Sequence, residues 1–61
     1  MEDKFLTVKE VSDYLQLGIN KTYSLFKYKG FPCIKFGNSY RVRKDDLLNY
    51  LAANKGNTFR I

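Results

Sequence analysis

The segment that decides the fold is Gly18–Gly30, with the sequence GINKTYSLFKYKG. Thr22, Leu25 and Phe26 follow the spacing i, i+3, i+4, which predicts a short helix with one face packed inward. The outward side is expected to consist of Ile19, Asn20, Lys21, Tyr23, Ser24 and Lys27. Apart from Ile19, these residues carry amide, ammonium or hydroxyl groups, and none carries a carboxylate. Amide and ammonium groups on a helix suit base-edge recognition in a major groove and binding to phosphates. For this segment alone, a solvated basic helix face is an equal alternative.

The distribution of charge favours the first interpretation. The formal net charge is +5. Residues 16–44 contain seven basic residues and no acidic one, whereas residues 1–15 have a net charge of −2 and residues 45–61 a net charge of zero. A continuous acid-free basic block indicates a polyanionic partner, and nucleic acid is the commonest one.

Upstream, the sequence predicts a helix from about Val8 to Gln16. Thr7 and Glu10 have the spacing of a capping box, and Leu6 and Val11 that of a hydrophobic staple. The expected apolar stripe consists of Val8, Val11, Tyr14 and Leu15, and the expected wet side of Lys9, Ser12, Asp13 and Gln16. Because Glu10 and Asp13 outweigh Lys9 in charge and would repel phosphates, we expect the first helix to be structural.

Glycines mark both ends of the deciding segment. Gly18 permits a tight reversal and lies at or near the N-cap of the second helix, which makes the pair a helix-turn-helix. Gly30 suits the C′ position, and Pro32 prevents the helix from continuing. In this motif the start of the second helix points outward, towards a groove.

Downstream, alternating residues predict a hairpin, or wing, with its turn at Gly37-Asn38. One face is expected to collect Ile34, Phe36, Tyr40 and Val42, and the other Lys35, Arg41 and Arg43. The expected DNA contacts of the wing are Lys35, Gly37, Asn38, Ser39, Arg41 and Arg43.

Asp45 and Asp46 suit the start of a third helix, because acids favour the positive end of the helix dipole. Its expected buried residues are Leu47, Leu48, Tyr50 and Leu51, packed across the first two helices. The remaining tail fits either a small strand or a frayed end.

The predicted fold class is α+β: a winged helix-turn-helix with three helices and a two- or three-stranded antiparallel hairpin. We expect one domain over residues 1–61, with the helix-turn-helix at about 7–30, the wing at about 33–43, the third helix at about 44–55 and the tail at 56–61. A phenylalanine- and tyrosine-rich core compensates for the small size.

Composition excludes several other classes. The chain has one cysteine and no histidine, so an internal disulfide and Cys/His metal sites are excluded. Asp45 and Asp46 point apart on a helix, and no nucleophile with a base is present, so we expect no enzyme, no cofactor, no metal and no small-molecule substrate. No membrane-span or signal-peptide pattern is found, which favours a cytoplasmic protein.

Several segments together resemble the excisionase-type helix-turn-helix family, small winged-helix relatives of the MerR DNA-binding domain. They are residues 5–11 (FLTVKEV), 14–25 (YLQLGINKTYSL), 31–42 (FPCIKFGNSYRV) and 46–51 (DLLNYL). The resemblance places Asn20, Lys21, Tyr23 and Ser24 on the recognition helix. It places Gly37, Asn38 and Ser39 at the wing tip, followed by Arg41. Many members carry Ser or Thr in place of Gly18, and a basic residue at the wing tip.

The resemblance implies a prokaryotic, nucleoid-associated protein that binds and bends double-stranded DNA at the ends of an integrated mobile element. Its partner would be an integrase or recombinase steered towards excision, with cooperative self-association on DNA. A small transcriptional regulator of a phage or mobile element is one alternative. Another is a protein-binding adaptor that docks an integrase or repressor through the first helix and the Phe59/Ile61 tail.

Overall fold

The structure, a computed structural model, describes residues 4–61; residues 1–3, the start of the predicted domain, lie outside the described residues. Its elements in chain order are β1 (Phe5–Leu6), α1 (Val8–Leu15), α2 (Ile19–Phe26), β2 (Cys33–Phe36), β3 (Ser39–Arg43) and α3 (Lys44–Ala53). The strands form an antiparallel sheet in the order β1-β3-β2. This arrangement is a winged helix-turn-helix, as the sequence predicts.

Helix α1 begins with the predicted capping box. The backbone N–H of Glu10 donates to Thr7 Oγ1 at 3.1 Å, and the Thr7 N–H donates to Glu10 Oε1 at 2.9 Å. The buried residues of α1 are Val8, Val11 and Ser12, so the predicted stripe is wrong at one position. Tyr14 is 54% exposed, because the spacing i, i+3, i+4 from Val8 selects Ser12 instead. Ser12 is satisfied there, since its hydroxyl donates to the Leu17 carbonyl at 2.7 Å.

The reversal between α1 and α2 occurs at Gln16 rather than at Gly18. Gln16 adopts the left-handed conformation, with φ 57° and ψ 41°, and its N–H bonds to carbonyls of the last turn of α1. Gly18 is the N-cap of α2 as expected, but its φ of −62° and ψ of 152° are open to any residue, and no side-chain cap is present. The prediction that Gly18 provides the tight reversal is therefore wrong, since Gln16 provides it.

Helix α2 buries its predicted inner face, Thr22, Leu25 and Phe26. It ends earlier than predicted, because Lys27 is the C-cap and Gly30 lies in the following turn with φ +85°. Gly30 is thus not the C′ residue of α2. The positive φ explains why glycine stands there.

The sheet sorts its side chains differently from the sequence prediction. The two-residue turn pairs Phe36 with Ser39, Lys35 with Tyr40 and Ile34 with Arg41. Paired residues share a face, so Ile34 and Phe36 point away from the core and Lys35 lies on the core side. Gly37, at φ +60°, occupies the first turn position, as in a type II′ hairpin.

The core lies between the sheet and the helices. It consists of Leu6, Val8, Val11, Leu25, Phe26, Phe31, Val42 and Leu47. Helix α3 lies against β3 and contributes Leu47 to this core. Leu48, predicted to be buried, is 38% exposed, because the inward stripe runs through Leu47, Tyr50 and Leu51.

An aromatic cluster joins the end of α2 to α3 and the tail. The Phe31 ring lies 4.8 Å from that of Phe26 and 5.2 Å from that of Tyr50. Phe59 packs at 5.0 Å from Tyr28 and 5.9 Å from Tyr50. The tail is therefore neither a strand nor frayed: it has no regular secondary structure but packs on the core through Phe59 and Ile61.

Candidate nucleic-acid interface

An open cleft of about 220 Å³ separates α2 from the wing. It is lined by Thr7, Val8, Lys9, Tyr23, Asn38, Ser39, Tyr40 and Arg41. Three elements meet here: the start of α1, the outward side of α2 and the first half of β3 with its preceding turn. Four of the residues predicted as DNA contacts, Tyr23, Asn38, Ser39 and Arg41, are brought together by this arrangement.

The outward face of α2 is exposed along its whole length. Ile19 is 40% and Tyr23 44% exposed, and Asn20, Lys21 and Ser24 are exposed too. Lys27, the C-cap, is exposed at the far end. Because α2 contains no acidic residue, this face offers ammonium, amide and hydroxyl groups to a polyanion without a competing carboxylate.

Internal hydrogen bonds hold the backbone of α2 under this face. The Thr22 hydroxyl donates to the Gly18 carbonyl at 3.0 Å, and the Ser24 hydroxyl donates to the Asn20 carbonyl at 3.2 Å. Thr22 is fully buried, so its bond also fixes the first turn against the core. The side chains of Asn20 and Lys21 are thereby carried on an anchored turn.

Two predicted wing contacts lie elsewhere. The Lys35 ammonium is 5.5 Å from the centre of the Tyr40 ring, on the core side of the sheet. Arg43 pairs with Phe5 at the base of the wing, and its guanidinium lies 3.6 Å from the Asp46 carboxylate. Neither residue lines the cleft. Lys35 lies on β2, which contributes no lining residue, and Arg43 is the last residue of β3, next to α3.

Arg41 remains at the predicted interface. Its Nη1 donates to the Tyr40 carbonyl at 2.7 Å, a contact that holds the guanidinium close to its own strand. Among the described residues, Asp46 pairs with Arg43 rather than with Arg41.

The sequence interpretation missed the start of α1. Thr7, Val8 and Lys9 line the cleft, although the first helix was expected to be structural because of its acidic wet side. Lys9 was not predicted as a contact because residues 1–15 carry a net negative charge. In the structure, its ammonium pairs with Asp13 at 3.0 Å. A basic residue within the first turn of the leading helix was the available signal.

The outer sheet face is an apolar surface that the sequence interpretation placed inside. Phe5, Ile34 and Phe36 are 42%, 45% and 57% exposed. The register puts all three on the same face as Arg41 and Arg43. This face is distinct from the polar side of α2.

Cys33 behaves as a small apolar residue. It is half-buried beside the core, and its Sγ lies 3.3 Å from the Phe26 carbonyl. Burial raises the pKa of its thiol above the ordinary value, which suppresses thiolate formation and reactivity. Within residues 4–61, no cluster of His, Cys, Asp and Glu side chains is arranged to hold a metal ion. No helix in that range is long and apolar enough to cross a membrane.

Comparison with known proteins agrees with this geometry. A family model described as a helix-turn-helix domain matches residues 5–55. Its family is excisionase-like, so the chain belongs to the excisionase-like helix-turn-helix family, and its domain is a DNA-binding one. Domains of this family are typically non-enzymatic. No curated protein and no solved structure matched the chain.

Proposed function

We propose that the protein is a sequence-specific, architectural double-stranded DNA-binding protein that acts as an excisionase. The supporting observation is the acid-free outward face of α2, which stands beside a wing across a cleft lined by cationic and hydroxyl side chains. In this proposal α2 enters the major groove, with Ile19, Asn20, Lys21, Tyr23, Ser24 and Lys27 as its contact residues. Asn20 reads base edges, and Lys21 and Lys27 bind phosphates.

The wing contributes the second part of the interface. Gly37, Asn38 and Ser39 form its tip, and Arg41 follows on the strand facing the cleft. A tip without a basic residue favours contact with the sugar-phosphate backbone over insertion into the minor groove. Lys35 and Arg43 are not part of this proposal as direct contacts, given their positions over Tyr40 and beside Asp46.

We expect several copies to bind DNA cooperatively, because the DNA interface of one copy is small. A single module of this kind buries only about 600–1,000 Å² on DNA. Several copies side by side on repeated sites would supply the specificity that one copy lacks, and would bend the DNA. In the proposed role, these copies act on the nucleoid of a prokaryotic cell, at the ends of an integrated mobile element, and direct its integrase towards excision.

The direct test is excision of an integrated element by its integrase, with wild-type protein and with the Lys21→Ala variant. We expect wild-type protein to bend the element ends in a gel phasing assay and to stimulate excision, and Lys21→Ala to lose both. Specific DNA binding without bending or stimulation would contradict the excisionase role. A regulated promoter at the bound site would then favour the transcriptional regulator, which shares the same DNA chemistry.

One observation supports a protein-binding adaptor as a second candidate. The outer sheet face exposes Phe5, Ile34 and Phe36, and exposed apolar surface of this kind marks interaction sites. The sequence predicts a contact surface made of the first helix and the Phe59/Ile61 tail, but the tail packs on the core. A Phe36→Ser variant that binds DNA normally but no longer stimulates the integrase would support the adaptor role. Full stimulation by this variant would contradict it.

A further inference from the structure

The cleft between α2 and the wing is cationic on two sides. Lys9 comes from α1 and Arg41 from β3, and both line it. The other polar lining groups are the hydroxyls of Thr7, Ser39 and two tyrosines and the amide of Asn38, and no carboxylate side chain is among the lining residues. Hydroxyl, amide and cationic donors are the groups that bind phosphate oxygens on DNA.

The size of the cleft restricts its occupant. Its volume of about 220 Å³ is below the roughly 300–1,000 Å³ of pockets that hold small-molecule ligands. It is several times the roughly 30 Å³ that one water occupies. A single phosphate group with a few waters fits these limits better than a complete small-molecule ligand does.

Lys9 is available for such an occupant. Its ammonium pairs with Asp13 at 3.0 Å, but the two side chains are 74% and 67% exposed. Exposed ion pairs contribute little to stability because solvent screens them. Exchange of the Asp13 carboxylate for a phosphate therefore costs little.

Arg41 is arranged differently. One guanidinium nitrogen, Nη1, is engaged by the Tyr40 carbonyl, which restrains the side chain next to the cleft. A guanidinium has five N–H donors in a planar fork, so this single bond leaves donors for an anion. The pair thus combines one exposed cation in a weak ion pair with one restrained cation.

We propose that this cleft is a phosphate site for the DNA backbone, in which Lys9 and Arg41 hold the same phosphate. The inference rests on the proposed DNA-binding function and adds α1 to the interface. Because a phosphate contact fixes orientation rather than sequence, this site sets the angle at which α2 enters the groove. On binding, Lys9 leaves Asp13 for the phosphate.

The test is a titration of a fluorescently labelled random-sequence duplex at several salt concentrations. The variants are Lys9→Ala, Arg41→Ala and the double variant, with Lys55→Ala as the matched control. Lys55 is exposed, lies after α3 and does not line the cleft. Because Lys9→Ala uncovers the Asp13 carboxylate, the series is repeated in an Asp13→Asn background. Urea unfolding of each variant verifies the fold.

We expect Lys9→Ala and Arg41→Ala each to lower the salt slope by about one and to weaken binding about tenfold at 50 mM salt. The double variant should lose less than the product of the two losses, because both residues hold one phosphate. Lys55→Ala should keep the wild-type slope.

Three results would overturn the inference. If Lys9→Ala behaves like Lys55→Ala while wild-type protein binds with a steep slope, the cleft is not a phosphate site and DNA binding stands. If the losses multiply in the double variant, Lys9 and Arg41 hold different phosphates. If wild-type protein does not bind duplex at low salt, the proposed DNA-binding function fails, and this inference fails with it.

Discussion

Aromatic residues are buried in the aromatic cluster but exposed at the cleft between α2 and the wing. Tyr50 packs edge-on against Phe31 at 5.2 Å, whereas Tyr23 is 44% exposed at the cleft. Rings around the end of α2 bury surface and hold the fold. The Tyr23 ring and the cations on the outward face of α2 are left uncovered. The comparison indicates that stability and DNA binding use separate surfaces of the molecule, so variants in each surface should separate the two properties.

The largest expected effect is that of Phe31→Ala in the aromatic cluster. Phe31 is 8% exposed and contacts two other rings, so its truncation should cost about 3–5 kcal/mol. That is much of the stability expected for a domain of this size at about 0.05–0.15 kcal/mol per residue. Urea unfolding followed by circular dichroism measures the loss.

Phe36→Ala is the matched control for Phe31→Ala. The chemical change is the same, but Phe36 is 57% exposed on the outer sheet face. We expect its free energy of unfolding to stay within about 0.5 kcal/mol of wild type. Equal losses in the two variants would contradict the assignment of the core.

The next effect is that of Phe59→Ala, which removes the main contact of the tail. Phe59 is half-buried between Tyr28 and Tyr50, so we expect a loss of about 1–2 kcal/mol from lost ring pairs and burial. DNA affinity of the folded protein should be unchanged, with the exposed Thr58→Ala as the control. Lost DNA affinity in a folded Phe59→Ala variant would contradict the separation of the two surfaces.

A smaller effect should appear as a pH dependence. Burial, with a lesser contribution from Tyr28, raises the pKa of Tyr50 above its ordinary value of 10.0. An acid with a raised pKa in the folded state stabilises the fold below its unfolded pKa, and this stabilisation is lost as pH rises through the folded pKa. Stability should therefore fall above about pH 10.

Tyr50→Phe should flatten this alkaline loss, whereas Tyr14→Phe, at an exposed position, should leave it unchanged. The measurement is urea unfolding from pH 8 to 11. Because the pKa of Cys33 is also raised by burial, the series is run on a Cys33→Ala background. An unaltered pH profile in Tyr50→Phe would contradict the burial of the Tyr50 hydroxyl.

The smallest expected effect lies at the start of α2. Gly18→Ser should stabilise the protein by a few tenths of a kcal/mol, because serine caps helices slightly better than glycine. The backbone of Gly18 is extended, and a Cβ there meets nothing within 4 Å. Gly37→Ser is the contrasting control: at φ +60° it should cost about 1 kcal/mol. Thermal unfolding distinguishes the two, and destabilisation by Gly18→Ser would show that the helix needs glycine there.

Features set by local chemistry were predictable from the sequence. The capping box of Thr7 and Glu10 needs only two residues three apart, and it is found with both hydrogen bonds. The inner face of α2 follows from the helical period, and the fold class follows from the order of these signals. The outward polar face of α2 is the complement of its buried stripe, so it was predictable for the same reason.

Features set by pairing and packing were not predictable in the same way. The faces of the wing depend on the turn length, which pairs an even-numbered residue with an odd-numbered one, as Ile34 with Arg41. An assumed pairing of even with even puts the side chains of β2 on the wrong face of the sheet. Lys9 comes close to the wing only because α1 docks there in the tertiary structure. Phe59 docks on rings that are distant in sequence, such as that of Tyr28, which lies more than thirty residues upstream. No local pattern encodes either contact.

The most direct test of the central claim, that the outward face of α2 binds DNA, is the salt dependence of duplex binding by wild-type protein and by Lys21→Ala. Lys21 is exposed and lies outside the core, so the urea midpoint should not change. The account predicts a steep wild-type salt slope that falls by about one in Lys21→Ala, with Lys55→Ala unchanged. An absence of wild-type binding at low salt, or an unchanged slope in Lys21→Ala, would contradict it.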